Sequence, residues 1–333
     1  MTSPSSKAFD VVGIGNAIVD VLVQTEDGFL EDHGLTKGTM ALVNETQAEQ
    51  LYASLGPGLE TSGGSAANTL AGLAQLGAQA GFIGRVRNDQ LGSIFAHDIR
   101  SVGAHYETAA AESGPSTARC LILVTPDAQR TMCTYLGASV NLHPNDLDLD
   151  LVRKAKVLYL EGYLWDSDEA KQAFIAAAEV MRESGGEVAL SLSDAFCVDR
   201  HRESFQELVD GHVDILFANE MEITSLYKAN HFEEAVAQVR GRCKVAALTR
   251  SGEGSLVLSG NQTLPISPFH LGPLLDTTGA GDLYAAGFLY GYTRGDELER
   301  CGRLGSLCAG QVVTQLGPRP QGSLKDLVAH HLP

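Results

Sequence analysis

"VLYLEGYLWDSDEAKQAFIAAAEVMRESGGEVALSL", residues 157–192, decides how the rest of the chain is read. Its two ends, VLYL and VALSL, are short apolar runs that read as buried strands, and residues 168–183 between them read as a helix. The same strand–helix–strand unit recurs on both sides. Downstream lie "VDILFA" (213–218) and "KVAALT" (244–249), with helices at 220–227 and 232–240. Upstream, "DVVGIG" (10–15) and "AGFIG" (80–84) read as strands. The helix at 66–76 carries Leu70, Leu73, Ala74 and Leu76 on one period, with Gly77 as its C-cap. Runs this apolar belong to a parallel sheet covered on both faces.

Two regions break the alternation. Residues 17–45 hold "IVDVLVQT" and "TMALVN" with no convincing helix between them. Residues 105–136 hold "ARCLILVT", the turn "PDAQ" and "RTMCTYL", which read as a hairpin. Four short strands without helices predict a small second sheet built from two insertions. At the strand ends of an α/β domain such a sheet can cover a ligand as a lid. The alternatives to a lid are strands that extend the main sheet or form a dimer surface, and the lid is the favoured reading. The expected division is a large α/β domain over 1–16, 46–104 and 138–333, and a discontinuous β lid over 17–45 and 105–137.

Composition bounds the function. The chain has 333 residues, 44% hydrophobic and 20% charged, as an ordinary globular protein has. Its formal net charge of −17 argues against nucleic acid or an anionic membrane surface as partner. Any bound phosphate must therefore be held by local donors. The six cysteines, Cys120, Cys133, Cys197, Cys243, Cys301 and Cys308, form no CxxC pair and no zinc spacing, so they read as reduced thiols. The start "MTSPSSKAFD" has no apolar signal region, and no apolar run is long enough to span a bilayer. A soluble cytoplasmic protein is expected.

"DTTGAGD" (276–282) precedes a helix candidate with Leu283, Ala286, Leu289 and Tyr290 on its apolar face. The turn then lies at a helix N-terminus, where unpaired N–H groups and the dipole favour an anion. Gly279 and Gly281 let a ligand approach the backbone. Asp282 beside a phosphate would be repelled, so it needs another task. A base taking the proton of an attacking hydroxyl fits, and so, for an isolated GxGD, does a helix cap. No P-loop occurs. "GIGNAI" (13–18) lacks the third glycine of a dinucleotide site and runs on into strand-like "VDVLV".

"DTTGAGDLYAAGF" resembles the C-terminal signature of the PfkB, or ribokinase-like, carbohydrate and nucleoside kinases. "SGGSAANTLAGLAQLGAQAGFIGRVRNDQLG" (62–92) resembles their N-terminal signature, and "NEME" (219–222) their NxxE motif. The three stand in family order across nearly the whole chain. The resemblance implies a three-layer sandwich with a mainly parallel central sheet and a small β-sheet lid. It also implies transfer of the ATP γ-phosphate to a hydroxymethyl group. Asp282 would be the base, and Gly279, Ala280 and Gly281 the anion hole. Asn219 and Glu222 would organise Mg²⁺ through its waters, though the same pair suits a capping box. "TRSGEGS" (249–255) is similar to the nucleotide-side loop, which implies Thr249, Gly252 and Gly254 near ATP; alone it reads as a hairpin turn. Asp276 would sit beside a monovalent cation such as K⁺.

"GIGNAIVDV" (13–21) resembles the adenosine-kinase branch. On that resemblance Asp20 accepts bonds from vicinal ribose hydroxyls, Asn16 lies near base or sugar, and Gly63, Gly64 and Asn68 complete the ribose side. "DAQRTMCTYLGASVN" (127–141) is similar to the adenosine-kinase lid, so Arg130 would reach the phosphate on closure. Met40, Met132 and Tyr163 would form a purine slot, unless they are ordinary core. "LSLSDAFCVDRHR" (190–202) departs from a typical sugar kinase and resembles a bacterial subgroup of both adenosine-kinase-like and sugar-kinase-like proteins, which leaves the acceptor open between nucleoside and sugar. The implied partners are small molecules, a nucleoside or sugar with ATP, and the chain is a monomer or homodimer. The reading is a nucleoside kinase of purine salvage, adenosine first. A ribose or fructose kinase is the alternative, and a nucleotide-sensing binding protein the non-enzyme one.

Overall fold

Val157 and Tyr159 face one side of their strand, Leu158 and Leu160 the other, and all four are buried. Both faces of the sheet are therefore covered. The structure, a computed structural model, describes residues 7–127 and 129–332. The first six residues of the expected large domain, and Ala128 of the PDAQ turn, lie outside the described residues.

In chain order the elements run β1 (Phe9–Ile14), β2 (Ile18–Gln24), α1 (Asp27–Asp32), β3 (Met40–Leu42), α2 (Glu45–Ser54), β4 (Leu59–Gly63), α3 (Ser65–Leu76), β5 (Ala80–Ile83) and α4 (Gln90–Ser101). Then come β6 (Ala118–Val124), β7 (Arg130–Tyr135), α5 (Leu149–Arg153), β8 (Ala155–Glu161), α6 (Asp168–Glu183), β9 (Glu187–Ser191), α7 (Ala195–His212), β10 (Ile215–Asn219), α8 (Glu220–Tyr227) and α9 (Phe232–Val239). The chain closes with β11 (Val245–Thr249), β12 (Ser255–Ser259), β13 (Gln262–Ile266), α10 (Ala280–Tyr292), α11 (Leu298–Val312) and α12 (Leu324–His331).

Among the described residues the central sheet has the order β13-β12-β11-β10-β9-β8-β1-β5. From β11 to β5 every pair is parallel, and β12 and β13 add an antiparallel edge. Helices α3, α4, α10 and α11 bury their apolar faces on one side, with Val11, Tyr159, Ile215 and Ala247. Helices α5 to α9 cover the other, with Ile14, Leu160, Leu190 and Leu248. This is the ribokinase-like three-layer arrangement. Gly77 ends α3 in the left-handed region at φ 92°, as expected of its C-cap. No described helix is long and apolar enough to cross a membrane.

The second sheet has the order β3-β7-β6-β2-β4. The expected four strands are present, with β6 and β7 antiparallel as read. A fifth, β4, pairs antiparallel with β2 as an edge. It falls in the stretch assigned to the large domain, and its "LETSG" has no apolar alternation to announce a strand. The expected absence of a helix in 17–45 is also corrected: α1 forms there, too short to show a period. Val19, Val21 and Val23 tie one face of the small sheet into the main core. Cys120, Ile122 and Val124, with Ile18 and Met132, pack on the other.

Helices α10 and α11 touch through glycines. A Cβ on Gly287 would stand 2.4 Å from the Leu304 carbonyl oxygen, and one on Gly305 2.7 Å from that of Tyr284. Both obstacles are backbone, which cannot swing aside. Gly287→Ala is therefore expected to destabilise the protein by about 1–3 kcal/mol, the usual cost of overpacking. Urea denaturation checks this, and an unchanged midpoint would show that the helices have room to part.

Candidate active site

The parallel strands end on one cavity of about 690 Å³. Asn16 follows β1, Glu161 ends β8, Ser191 ends β9, Asn219 ends β10 and Thr249 ends β11, and all five line it. This is where open α/β sheets place ligands. The small sheet supplies Ile18, Asp20, Met40, Ile122 and Met132 to the opposite wall.

Asp282 stands in the first turn of α10, facing the first turn of α3. Ser65 Oγ donates to its Oδ1 at 2.6 Å and Asn68 Nδ2 to its Oδ2 at 2.9 Å. Burial pushes the carboxyl up to about 6, against those two bonds and the Arg319 charge. A carboxylate near neutral pKa, fixed at a helix N-terminus and open to a cavity, is fit to take a proton.

Gly279 opens the helix at φ 78°, where a Cβ would strike Pro318 at 2.7 Å. The N–H groups of Gly279 and Gly281 make no hydrogen bond among the described residues. The Ala280 N–H is spent on the Thr277 carbonyl at 3.1 Å, so of the three expected donors two are free for an anion.

Asp276 braces this turn. Its Oδ1 accepts from the Thr278 N–H and hydroxyl at 3.1 and 2.8 Å, and its Oδ2 from the Gly317 N–H at 2.9 Å. Arg130, at the start of β7, also pairs with Oδ2. Arg130, expected at a phosphate, and Asp276, expected at a cation, thus hold each other. Arg130 is nearly buried in the pair, and its Nη2 has no partner among the described residues.

A second acid, Asp20 of β2, lines the cavity. Burial pushes Asp20 up to about 7; Arg319 pulls it down and Asp282 pushes it further up. Gly63 does not line the cavity. Its missing Cβ makes room for the Asp20 carboxylate, which would otherwise lie 2.3 Å away. Gly64, at φ 99°, does line it and lets α3 start against the Asn16 carbonyl, 2.2 Å from where a Cβ would be.

Sequence reasoning missed Glu161. It is almost fully buried and accepts from Asn16 N–H at 3.2 Å, Asn16 Nδ2 at 2.7 Å and Ala66 N–H at 2.7 Å. Burial pushes it up to about 7 against those three donors. It fixes Asn16, whose Oδ1 is left buried with no partner among the described residues. An acid closing a buried strand at "VLYLE" was the available signal. Arg319 and Phe196 were also missed; Phe196 lines the cavity and is largely exposed.

Asn219 and Glu222 line the cavity and form a capping box: Asn219 Oδ1 accepts from the Glu222 N–H at 2.8 Å, and Glu222 Oε2 from the Asn219 N–H at 2.9 Å. Burial pushes Glu222 up to about 7. No cluster of three metal-ligating side chains exists among the described residues. The pair fits a hydrated Mg²⁺ held through its waters and does not make a cage of direct ligands. Met40, Met132 and Tyr163 line the cavity, and Met40 and Tyr163 are exposed. Gly252 and Gly254 do not line it; they lie in the turn between the antiparallel strands β11 and β12.

A family model described as pfkB family carbohydrate kinase matches residues 57–324. The crystal structure of adenosine kinase from Sinorhizobium meliloti is 50% identical, covering 97% of this chain and 99% of its own, with a TM-score of 0.88. That of a probable sugar kinase from Rhizobium etli is 49% identical, covering 98% and 99%, with a TM-score of 0.89. Adenosine kinase of Saccharomyces cerevisiae is 26% identical over 96% of this chain and 97% of its own length.

The burial of Asp282 has a consequence for stability. Its folded pKa, about 6, lies above the ordinary value of 3.8. The folded form holds the proton more tightly, so this contribution is complete below the ordinary value and is lost as pH rises through about 6. Asp282→Asn carries no such charge. Its melting temperature relative to wild type is expected to be higher at pH 8 than at pH 4.5. A difference that does not change with pH would mean Asp282 titrates as an ordinary carboxylate.

Proposed function

We propose, for a chain that belongs to the pfkB family of carbohydrate kinases and transfers a phosphoryl group to a hydroxyl, that the acceptor is the 5′-hydroxyl of a nucleoside, adenosine first. One observation carries this reading. Beside Asp20, the small sheet lends the cavity a mostly apolar lining, Ile18, Leu42, Ile122 and Met132, and Leu136, Tyr163 and Phe196 line it too. A flat base can fill such a wall, whereas a free sugar, polar on all sides, would leave it uncovered.

In this reading Asp20 and the free Asn16 Oδ1 accept from the ribose hydroxyls. The 5′-oxygen attacks the γ-phosphorus, its proton passes to Asp282, and the bond to the β,γ-bridging oxygen breaks with its electron pair leaving on ADP. The Gly279 and Gly281 N–H groups stabilise charge on the phosphoryl oxygens. Mg²⁺ arriving with ATP would be held through its waters by Asn219 and Glu222, and supplies charge neutralisation along the phosphates. Arg130 keeps Nη2 without a partner among the described residues while Nη1 pairs with Asp276, and a K⁺ ion at Asp276 would compete with the same guanidinium.

A sugar acceptor is the second reading. Asp20, Asn68 and Gly64 would bind sugar hydroxyls as well as ribose, and the Rhizobium etli protein carries a sugar-kinase name.

The test is kcat/KM for adenosine, inosine, ribose and fructose under one set of conditions. Adenosine is expected to exceed ribose in kcat as well as affinity, because the base contributes binding energy that aligns the 5′-hydroxyl. A sugar that matches both nucleosides overturns the nucleoside reading. Asp282→Asn is expected to lower kcat by ~10²–10⁴ with ATP binding retained, and near-normal turnover would remove Asp282 as base. Asp20→Ala is expected to raise KM for the acceptor far more than KM for ATP; equal effects would place Asp20 outside the acceptor pocket.

A further inference from the structure

Asn68 can satisfy its neighbours in one orientation only. On one side Arg319 Nε donates to its Oδ1 at 2.9 Å. On the other its Nδ2 donates to Asp282 Oδ2 at 2.9 Å. Arginine has no acceptor and a carboxylate no donor, so a flipped amide would face donor to donor and acceptor to acceptor. Arg319 is itself fixed: Nη2 donates to the Ser62 carbonyl at 2.6 Å and to Ser62 Oγ at 3.0 Å. Ser62 in turn donates through N–H and Oγ to Asp98 Oδ2 at 2.7 and 2.6 Å. Arg319 Nη1 is buried with no partner among the described residues.

Charge makes the same point. The groups whose charge couples with Asp282 are mostly acids: Asp20 on β2, Glu161 on β8 and Glu222 on α8. Tyr159 and Tyr163 add only neutral hydroxyls. Arg130 is engaged by Asp276 and Arg200 by Asp166. Arg319 is the cation whose charge bears on both Asp20 and Asp282.

We propose that Arg319 is a positioning residue for phosphoryl transfer: held on Ser62, it fixes Asn68 so that the amide turns a donor onto Asp282. The inference rests on Asp282 being the base.

The test compares pH profiles of kcat/KM for wild type, Arg319→Gln and Arg319→Lys, with ATP and the best acceptor of the four above. Glutamine removes the charge, so the acidic limb is expected to move up by ~1 pH unit, the scale of a lost opposite charge. Lysine keeps the charge but cannot hold Asn68 and Ser62 together. Its limb is expected to stay near wild type while kcat falls ~10-fold, the scale of a small misplacement. A role in folding alone would lower the melting temperature of both variants without moving the limb. A glutamine limb superimposable on wild type overturns the proposal. If Arg319→Gln does not fold, Arg319→Lys decides, and a kcat within about twofold of wild type overturns it. Asp282→Asn is run alongside. If it keeps turnover, the base assignment has failed; if it is inactive and the Arg319 limb does not move, only the present inference has.

Discussion

The Asp282 carboxylate is held between the first turns of two helices, and the site is built around that meeting. Helices α3 and α10 come close because their facing positions are small. A Cβ on Gly72 would lie 2.7 Å from Leu283 and 2.9 Å from the Ala286 methyl. That contact lets Ser65 and Asn68 of one helix donate to an acid on the other. Burying a carboxylate is unfavourable unless it is hydrogen-bonded and has a counter-charge nearby. Here Ser65, Asn68 and Arg319 fill those roles. The two helix starts are also where unpaired N–H groups gather, so a buried carboxylate and free backbone donors are brought together by one packing contact.

An acid-rich cavity is an odd host for ATP, and its layout resolves the conflict. Asp20, Glu161 and Asp282 line the same cavity, and carboxylates are acceptors suited to a ligand that offers hydroxyl donors. The N–H groups of Gly279 and Gly281 stand without a partner among the described residues at the helix start, where an anion is favoured. The carboxylate of Asp276, six residues from Asp282, is occupied by four donors from three residues: two from Thr278, one from Gly317 and one from Arg130. The net charge of −17 therefore says nothing against phosphate chemistry here. What matters is the direction of a few backbone dipoles.

The central sheet was legible because a strand buried on both faces must be an unbroken apolar run, and VLYL, VALSL and VDILFA are such runs. The β12–β13 edge was not read, since an edge hairpin lacks that signature. Strand β4 was missed for a related reason: with Ser, Thr and Gly it is a strand by pairing, not by composition. At the site, the glycine turn with Asp282 was readable because few sequences need that arrangement of glycines and acids. Glu161 and Arg319 were not. Each acts by holding another residue, Asn16 in one case and Asn68 in the other. Such a role depends on neighbours 145 and 251 positions away in the chain. Gly63 shows the reverse error: its residue type was noticed, but its function is to leave space for Asp20.

Arg130 links the small sheet to this arrangement. It leaves β7 and ends on Asp276, the acid that shapes the anion turn and also holds Gly317, two residues before Arg319. The position of the small sheet, the shape of the turn and the path of the 317–319 segment are therefore tied at one carboxylate. A buried ion pair separates at little cost only if each partner gains a replacement, because an unpaired buried charge is strongly unfavourable. For Arg130 a phosphate oxygen is such a replacement, and for Asp276 the Thr278 and Gly317 donors already remain. The small sheet and the glycine turn thus share one bond at Asp276. Gly317 carries that bond on to Arg319, two residues along, and through Asn68 to Asp282.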